Sequence, residues 1–340
     1  MALNIQENIS LKSYNTFGMD VLAKFFFRFS TTAQMQEIGN DSLFRHNPVM
    51  VLGGGSNMLL TTNFEGLVIK NEIPGIELIF EDADHYFVKV GAGVDWHEFV
   101  LYCLEKNYAG VENLALIPGK VGASPMQNIG AYGVEMKDVF HSLEAINVDD
   151  LSLVTFYNAD CEFGYRESIF KNKYKNQFVI TSVTFKLNKI PVYKTAYGAI
   201  EDALHEMKVD TLSIQHIAQA VMRIRNSKLP NPNVIGNAGS FFKNPEIETI
   251  QFESLKKYFP NINGYQTDSG KIKIAAGWLI EQAGWKGYRN GDAGCHDKQA
   301  LVLVNHGNAT GTEIFELSEN IISSVHEKFG IFLHREVNIY

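Results

Sequence analysis

Through the first half of the chain, apolar residues come in short runs bounded by Gly, Asp, Asn and Ser. The runs at residues 21–29, 66–70, 86–90 and 178–187, the last rich in β-branched and aromatic residues, predict strands. One segment breaks this texture. Asp95 with Glu98 three residues on reads as a helix start, Trp96, Phe99, Val100, Cys103 and Leu104 make an apolar face, and Gly110 lies beyond the stop. In the second half the period lengthens. Ile214, Ile217, Ala218, Val221 and Met222 have helical spacing, residues 274–282 form a further helix closed near Gly284, and a helix from Thr310 and Glu313 to Gly330 carries Ile314, Leu317, Ile321 and Val325. Residues 301–305 read as a buried strand. The sum is an α+β protein with no regular alternation of strand and helix, and the change of texture near residues 190–210 suggests a domain boundary.

Length and composition narrow the picture. A chain of 340 residues exceeds what one hydrophobic core usually supports, so two or three domains are expected. With 45% hydrophobic and 20% charged residues, the protein has the make-up of a soluble globular chain. No apolar run is long enough to span a bilayer, and the N-terminal residues show no basic stretch followed by an apolar one, so a cytoplasmic protein without membrane insertion is expected. A net charge of -8 without a basic cluster argues against nucleic acid as a partner. Cys103, Cys161 and Cys295 are widely spaced and odd in number, as in a protein of reduced thiols, and the ten histidines form no ligand spacing, so no metal site is expected.

Four loops could carry chemistry. The first places Gly53, Gly54, Gly55, Ser56 and Asn57 directly after an apolar run. Such glycines let backbone N–H groups converge on an anion, and the ligand they suit is a phosphate or pyrophosphate. The dinucleotide fingerprint of a Rossmann fold is absent, and by itself the run is equally a tight turn between strands. The second loop, residues 117–133, holds Pro118, Gly119, Ser124, Asn128, Gly130 and Tyr132. With Lys120 as its one charged residue, it suits backbone lying against a flat ligand. The third sets Arg166 among apolar and aromatic residues, where it suits either a bidentate carboxylate contact or a structural ion pair. The fourth carries Ser240 between small residues and Phe241-Phe242. It has no nearby histidine and no nucleophile elbow, so a hydrolytic serine is not supported, while a proton-donating hydroxyl or an ordinary turn serine both remain open.

Taken together and in this order, the four segments resemble the UDP-N-acetylenolpyruvoylglucosamine reductase family, from Asn15-Thr16-Phe17-Gly18 to Glu336-Val337. The resemblance implies a two-subdomain FAD-binding fold of the vanillyl-alcohol-oxidase (PCMH) type over residues 1–195. It further implies an α+β substrate-binding domain over 196–335 and a terminal strand, 336–340, that returns to the active site. It implies that Gly53, Gly54, Gly55, Ser56 and Asn57 embrace the pyrophosphate of a non-covalent FAD, and that Pro118, Gly119, Ser124, Asn128, Gly130 and Tyr132 line the cofactor. By the same resemblance Ser240 is a proton donor, and Arg166 and Glu336 are the other catalytic residues. Tyr197, Lys228, Asn244 and Gln299 match substrate-binding positions, Tyr197 in the manner of the type I branch. The implied reaction reduces UDP-N-acetylglucosamine enolpyruvate with NADPH, in a monomer, during cell-wall precursor synthesis. Two positions depart from the family's habit: Asn338 stands where an arginine is frequent, and Ala199 where an aspartate is. The competing readings are an oxidase of the same fold, a catalytically silent nucleotide-binding relative, and a flavin-free dehydrogenase. The first loops carry no histidine for covalent flavin attachment.

Overall fold

Strand formation follows the apolar runs. The structure, a computed structural model, describes residues 3–197, 199–267 and 269–340. By packing, the chain forms two units: Met1–Ile9, Ala23–Gly54 and Glu65–Ser227 make the first, and Ser10–Leu22, Gly55–Phe64 and Lys228–Tyr340 the second.

The first unit holds two sheets. Strands β1 (Gln6–Ser10), β2 (Leu22–Phe29), β3 (Val49–Leu52) and β5 (Phe64–Asn71) lie in the order β1-β2-β5-β3, with β3 and β5 parallel. Helices α1 (Thr32–Gly39) and α2 (Ser42–His46) supply Met35, Ile38 and Phe44 to a core with Phe27, Phe29, Leu67 and Ile69. The second sheet is antiparallel throughout. Its strands β6 (Ile76–Glu81), β7 (His85–Gly91), β10 (Phe140–Asn147), β11 (Leu153–Tyr157) and β12 (Phe178–Asn188) run in the order β11-β10-β12-β7-β6. Central β12 is buried on both faces over residues 179–185, which is why apolar residues stand at positions of both parities, Val179, Ile180, Val183 and Phe185. Val179 joins the first core, whereas Ile180, Val183, Phe185 and Leu187 join the second. Helix α3 (Trp96–Lys106) covers the second sheet, with Trp96 and Phe99 against Phe185 at ring separations of 5.7 and 4.6 Å. Helices α4 (Ile200–Glu206) and α5 (Ile214–Lys228) add Ile200, Ile217, Ala218 and Val221 to the same core. Between these elements, β8 (Gly130–Ala131) and β9 (Val134–Glu135) form a tight hairpin whose two turn residues, Tyr132 and Gly133, both have positive φ, 51° and 79°.

The second unit places β13 (Gly236–Ser240), β17 (Arg289–Asn290), β18 (Ala293–Cys295) and β19 (Val302–Asn305) in the order β13-β19-β18-β17. A three-stranded sheet of β14 (Glu246–Ile247), β15 (Gly264–Gln266) and β16 (Ile272–Ile274) has β16 at its centre. Helices α6 (Thr249–Tyr258), α7 (Ala276–Gln282) and α8 (Gly311–Phe329) complete it. Helix α8 starts in the reciprocal Thr310–Glu313 capping box and ends at left-handed Gly330. Two short strands, β4 (Met58–Leu59) and β20 (Asn338–Ile339), pair in parallel.

Several expectations shift in detail. Helix α3 is capped by Asp95, which accepts from the His97 and Glu98 N–H groups, but it stops at left-handed Asn107, three residues before Gly110. Helix α7 begins at Ala276 because Ile272 and Ile274 belong to strand β16. The expected division at 195/196 and the packing units are different partitions: α4 and α5 pack on the second sheet of the first unit, and residues 10–22 and 55–64 pack with the second. The three cysteines are buried and reduced, and burial pushes the Cys161 and Cys295 thiols up to about 12. No helix among the described residues is long and apolar enough to cross a membrane.

Candidate active site

In the first unit, the glycine run meets the second loop. Strand β3 delivers Gly53 and Gly54 against Gly119 and Lys120. A Cβ on Gly54 would stand 2.9 Å from the Gly119 Cα, so only glycine lets the two backbones come this close. The second loop is in turn fastened to the start of α3, where the Gly119 carbonyl accepts from the Trp96 N–H at 3.0 Å and Lys120 pairs with Asp95 at 3.8 Å. Beneath the run lies Lys70, buried in β5, whose ammonium donates to the Gly53 carbonyl. Burial, reinforced by the Lys120 cation, lowers its pKa to about 8. Two lysines beside a glycine turn suit a polyanion.

The second and third loops form one body. The Arg166 Nη2 donates to the Gly130 carbonyl at 2.7 Å, the Asn128 Nδ2 to the Gly164 carbonyl at 3.0 Å, and the Ser168 hydroxyl to the Met126 carbonyl at 2.6 Å. Asn128 is fully buried; its amide also donates to Glu135, and its oxygen accepts the Lys137 N–H. Its side chain therefore organises the loops. Ser124 acts likewise, donating to the Val121 carbonyl at 2.7 Å. Asn128, Tyr132 and Arg166 all hold positive φ, 43°, 51° and 56°, a concentration of strained backbone of the kind found at functional sites.

Tyr132 lies close to Arg225 of α5. The Arg225 Nε is buried and has no hydrogen-bond partner among the described residues. A buried, unmet donor next to Tyr132 fits an acceptor supplied by a ligand. His97 lies close to Arg225, and its Nδ1 accepts the Leu116 N–H at 3.1 Å, so the ring steers the chain into the second loop. Tyr197 is exposed, with its Cβ beside Gly133 of the hairpin turn; the following residue, 198, lies outside the described residues.

In the second unit, Ser240 closes β13 beside Val302, after a bulge made by left-handed Gly239. Its side chain is exposed and has no hydrogen-bond partner among the described residues. Phe241 and Phe242 behind it are fully buried and anchor the position, Phe241 against Phe17 at 6.2 Å. The chain then runs antiparallel to the segment before β20. Phe242 bridges Arg335, the Lys243 N–H donates to the His334 carbonyl at 2.8 Å, and the Glu336 N–H donates to the Phe241 carbonyl at 2.9 Å. Half-buried Glu336 is thereby brought beside the Ser240 segment. Gly55 and Asn57 of the glycine run also belong to this unit, and the Asn57 Nδ2 donates to the Glu336 carbonyl at 3.3 Å.

Two expected substrate residues converge on α7. The Asn244 Oδ1 accepts the Ala276 N–H at 2.9 Å, and the Gln299 Oε1 sits 2.8 Å from where a Gly277 Cβ would be. Lys228 is the exposed last residue of α5. Sequence reasoning missed Lys70 and Arg225. The signal existed: Lys70 directly follows the apolar run Leu67–Ile69 within its strand, and Arg225 follows Val221 by four, on the apolar face of its helix.

Residues 23–155 match the family described as FAD binding domain, and residues 231–340 match that described as UDP-N-acetylenolpyruvoylglucosamine reductase, C-terminal domain. These two matches define an FAD-binding oxidoreductase. The chain is 49% identical over 337 residues to the UDP-N-acetylenolpyruvoylglucosamine reductase of Amoebophilus asiaticus, covering 99% of each. It belongs to the UDP-N-acetylenolpyruvoylglucosamine reductase family. The counterpart in Flavobacterium johnsoniae is 48% identical over 99% of this chain and 100% of its own, and that of Pseudomonas aeruginosa 45% over the whole of both. The reductase structure from Thermus caldophilus superposes with a TM-score of 0.68 at 24% identity, over 100% of this chain and 99% of that one, and shares its fold.

Proposed function

We propose that this protein reduces UDP-N-acetylglucosamine enolpyruvate to UDP-N-acetylmuramate, with NADPH as reductant and non-covalent FAD as carrier, in the cytoplasmic synthesis of peptidoglycan precursors. The observation that carries the reading is the full-length match to reductases of this name, 49% identical over 99% of the chain. The residues fit the cofactor. Gly53 to Asn57 suit the pyrophosphate, with Lys70 and Lys120 close to the Gly53 end, and the unmet Arg225 donor suits an acceptor of the ring system.

FAD, when bound, supplies the two electrons that it takes from NADPH. The protein's part is to bind the enolpyruvyl group and to manage charge and proton. As electrons enter the double bond, negative charge develops at the α-carbon and its carboxylate. Arg166, fixed by Gly130 and by its left-handed backbone, supplies a pre-positioned cation for it. Glu336, held against the Phe241 strand, supports the same species. The Ser240 hydroxyl donates a proton to the α-carbon and recovers one from solvent. Tyr197, Lys228, Asn244 and Gln299 hold the nucleotide sugar, Lys228 as a point charge for the diphosphate.

The test is an anaerobic absorption spectrum of the FAD-loaded protein. NADPH should bleach the flavin band, and UDP-N-acetylglucosamine enolpyruvate should restore it. A band restored only by oxygen would replace the reductase reading with an oxidase one.

A further inference from the structure

We infer that Asn338 is a positioning residue for Glu336, acting through Asn57; the inference rests on the role proposed above for Glu336. Asn57 and Asn338 are 281 residues apart, yet two hydrogen bonds join them. The Asn338 backbone N–H and its Nδ2 both donate to the Asn57 carbonyl, at 3.2 and 3.0 Å. The Asn57 Nδ2 donates in the other direction, to the Glu336 carbonyl at 3.3 Å. Glu336 is therefore held on both sides, by Phe241 through its N–H and by Asn57 through its carbonyl.

The clamp matters because the strand pair it opens is short. β20 and β4 pair over two residues, Asn338 with Met58 and Ile339 with Leu59; Thr61 donates to the Tyr340 carbonyl at the far end, and a ladder of that length leans on the contacts at both its ends. A one-residue slip would turn every side chain of the segment to the opposite face. Residues 336 and 338 lie two apart in extended chain, on one face, so whatever fixes the register at 338 fixes the direction in which the glutamate points. The side chain needed is short and must donate to a carbonyl, and asparagine satisfies both demands. This assigns a function to the residue that departs from the family's habitual arginine. It also ties the placement of the glutamate to the glycine run in which Asn57 sits.

The test compares Asn338→Ala and Asn338→Asp with Glu336→Gln, all FAD-loaded, by anaerobic stopped-flow. The aspartate keeps the shape but can only accept, so it sets an oxygen against the Asn57 carbonyl. Reduction of the flavin by NADPH should keep its wild-type rate in both Asn338 variants and serves as the check on their folding. Reoxidation by the enolpyruvyl substrate should slow about tenfold in both Asn338 variants, the order of effect of one lost hydrogen bond, and further in Glu336→Gln. Wild-type reoxidation in the Asn338 variants with slow reoxidation in Glu336→Gln would overturn the inference and leave the proposed function standing. Equal slowing of both phases would overturn it too, as general loosening. Wild-type reoxidation in Glu336→Gln would remove the role of the glutamate, and the inference with it.

Discussion

The backbone N–H of Glu336 donates to the carbonyl of Phe241 at 2.9 Å, which pairs the glutamate with the residue directly after Ser240. One stretch of antiparallel backbone thus carries both groups, and the buried phenylalanines at 241 and 242 hold it rigid. Replacing Ser240 with alanine leaves that backbone intact and removes only the hydroxyl proposed as proton donor. Reoxidation by the enolpyruvyl sugar should fall on the order of 10²-fold, the effect of a lost general acid, while reduction by NADPH keeps its rate. Rapid-mixing absorbance separates the two. Equal loss in both phases would deny the serine its role.

Gly55 has φ 62°, and a Cβ there would lie 2.0 Å from the Tyr14 carbonyl oxygen. No rotamer relieves a clash with backbone, so the loop or the Tyr14 segment must move. Gly55→Ala is expected to lose at least about 2 kcal/mol of stability through strain and displaced packing, and to retain little FAD after gel filtration. A variant of wild-type melting temperature and full flavin content would refute this.

Lys70 titrates near 8 because burial, with Lys120 adding to it, opposes its charge. Between pH 8 and 10.5 the unfolded chain binds the proton that the folded one has lost, so this residue makes stability rise with pH in that window. An anion held at the glycine run favours the charged form. FAD binding should therefore take up a proton around pH 8–9, and its affinity should weaken as pH rises, by at most tenfold per unit. Titration of the apoprotein with FAD from pH 7 to 9.5 measures the slope, which Lys70→Met should abolish.

His97 is held below the ordinary histidine value, first by burial and then by the Arg225 cation, against the opposing pull of Asp95. Its neutral Nδ1 accepts the Leu116 N–H. The unfolded chain binds a proton at pH 6.5 that the folded ring refuses, so stability from this group is present above pH 6.5 and lost as pH falls below it. His141, His296 and His306 are lowered as well and act in the same sense. Thermal melts at pH 7 and pH 5.5 should differ less in His97→Gln, which keeps an acceptor without a titrating ring, than in the wild type.

Much of this was legible in the sequence, for local reasons. The capping box of α8, the apolar spacing of α5 and the runs that became β2, β5, β7 and β12 are each written within one turn or one strand of chain. The loops bearing Gly53, Gly119, Arg166 and Ser240 stood out because glycine and polar residues there serve no core. The pairings did not. Nothing near Arg166 announces Gly130, and nothing near Glu336 announces Phe241 or Asn57; such contacts are fixed by tertiary packing. The start of α7 was misread because Ile274 satisfies both a period of two and a period of 3.6 until its strand partners are known. Likewise nothing near Asn128 announces that its amide is engaged by Gly164, Glu135 and Lys137.

The parallel pairing of β4 with β20 also sets a timetable for biogenesis. Residues 55–64 leave the ribosome long before the segment from Lys228 onward that completes their unit. At ordinary rates of synthesis the intervening stretch takes on the order of ten to thirty seconds, and contacts so distant in sequence form slowly even afterwards. Throughout that interval the edge of β4 is an unpaired strand beside a glycine turn, open to mispairing and a natural client for a chaperone. The Asn57 carbonyl, which accepts from Asn338, accordingly takes its final place only after residue 338 has been made.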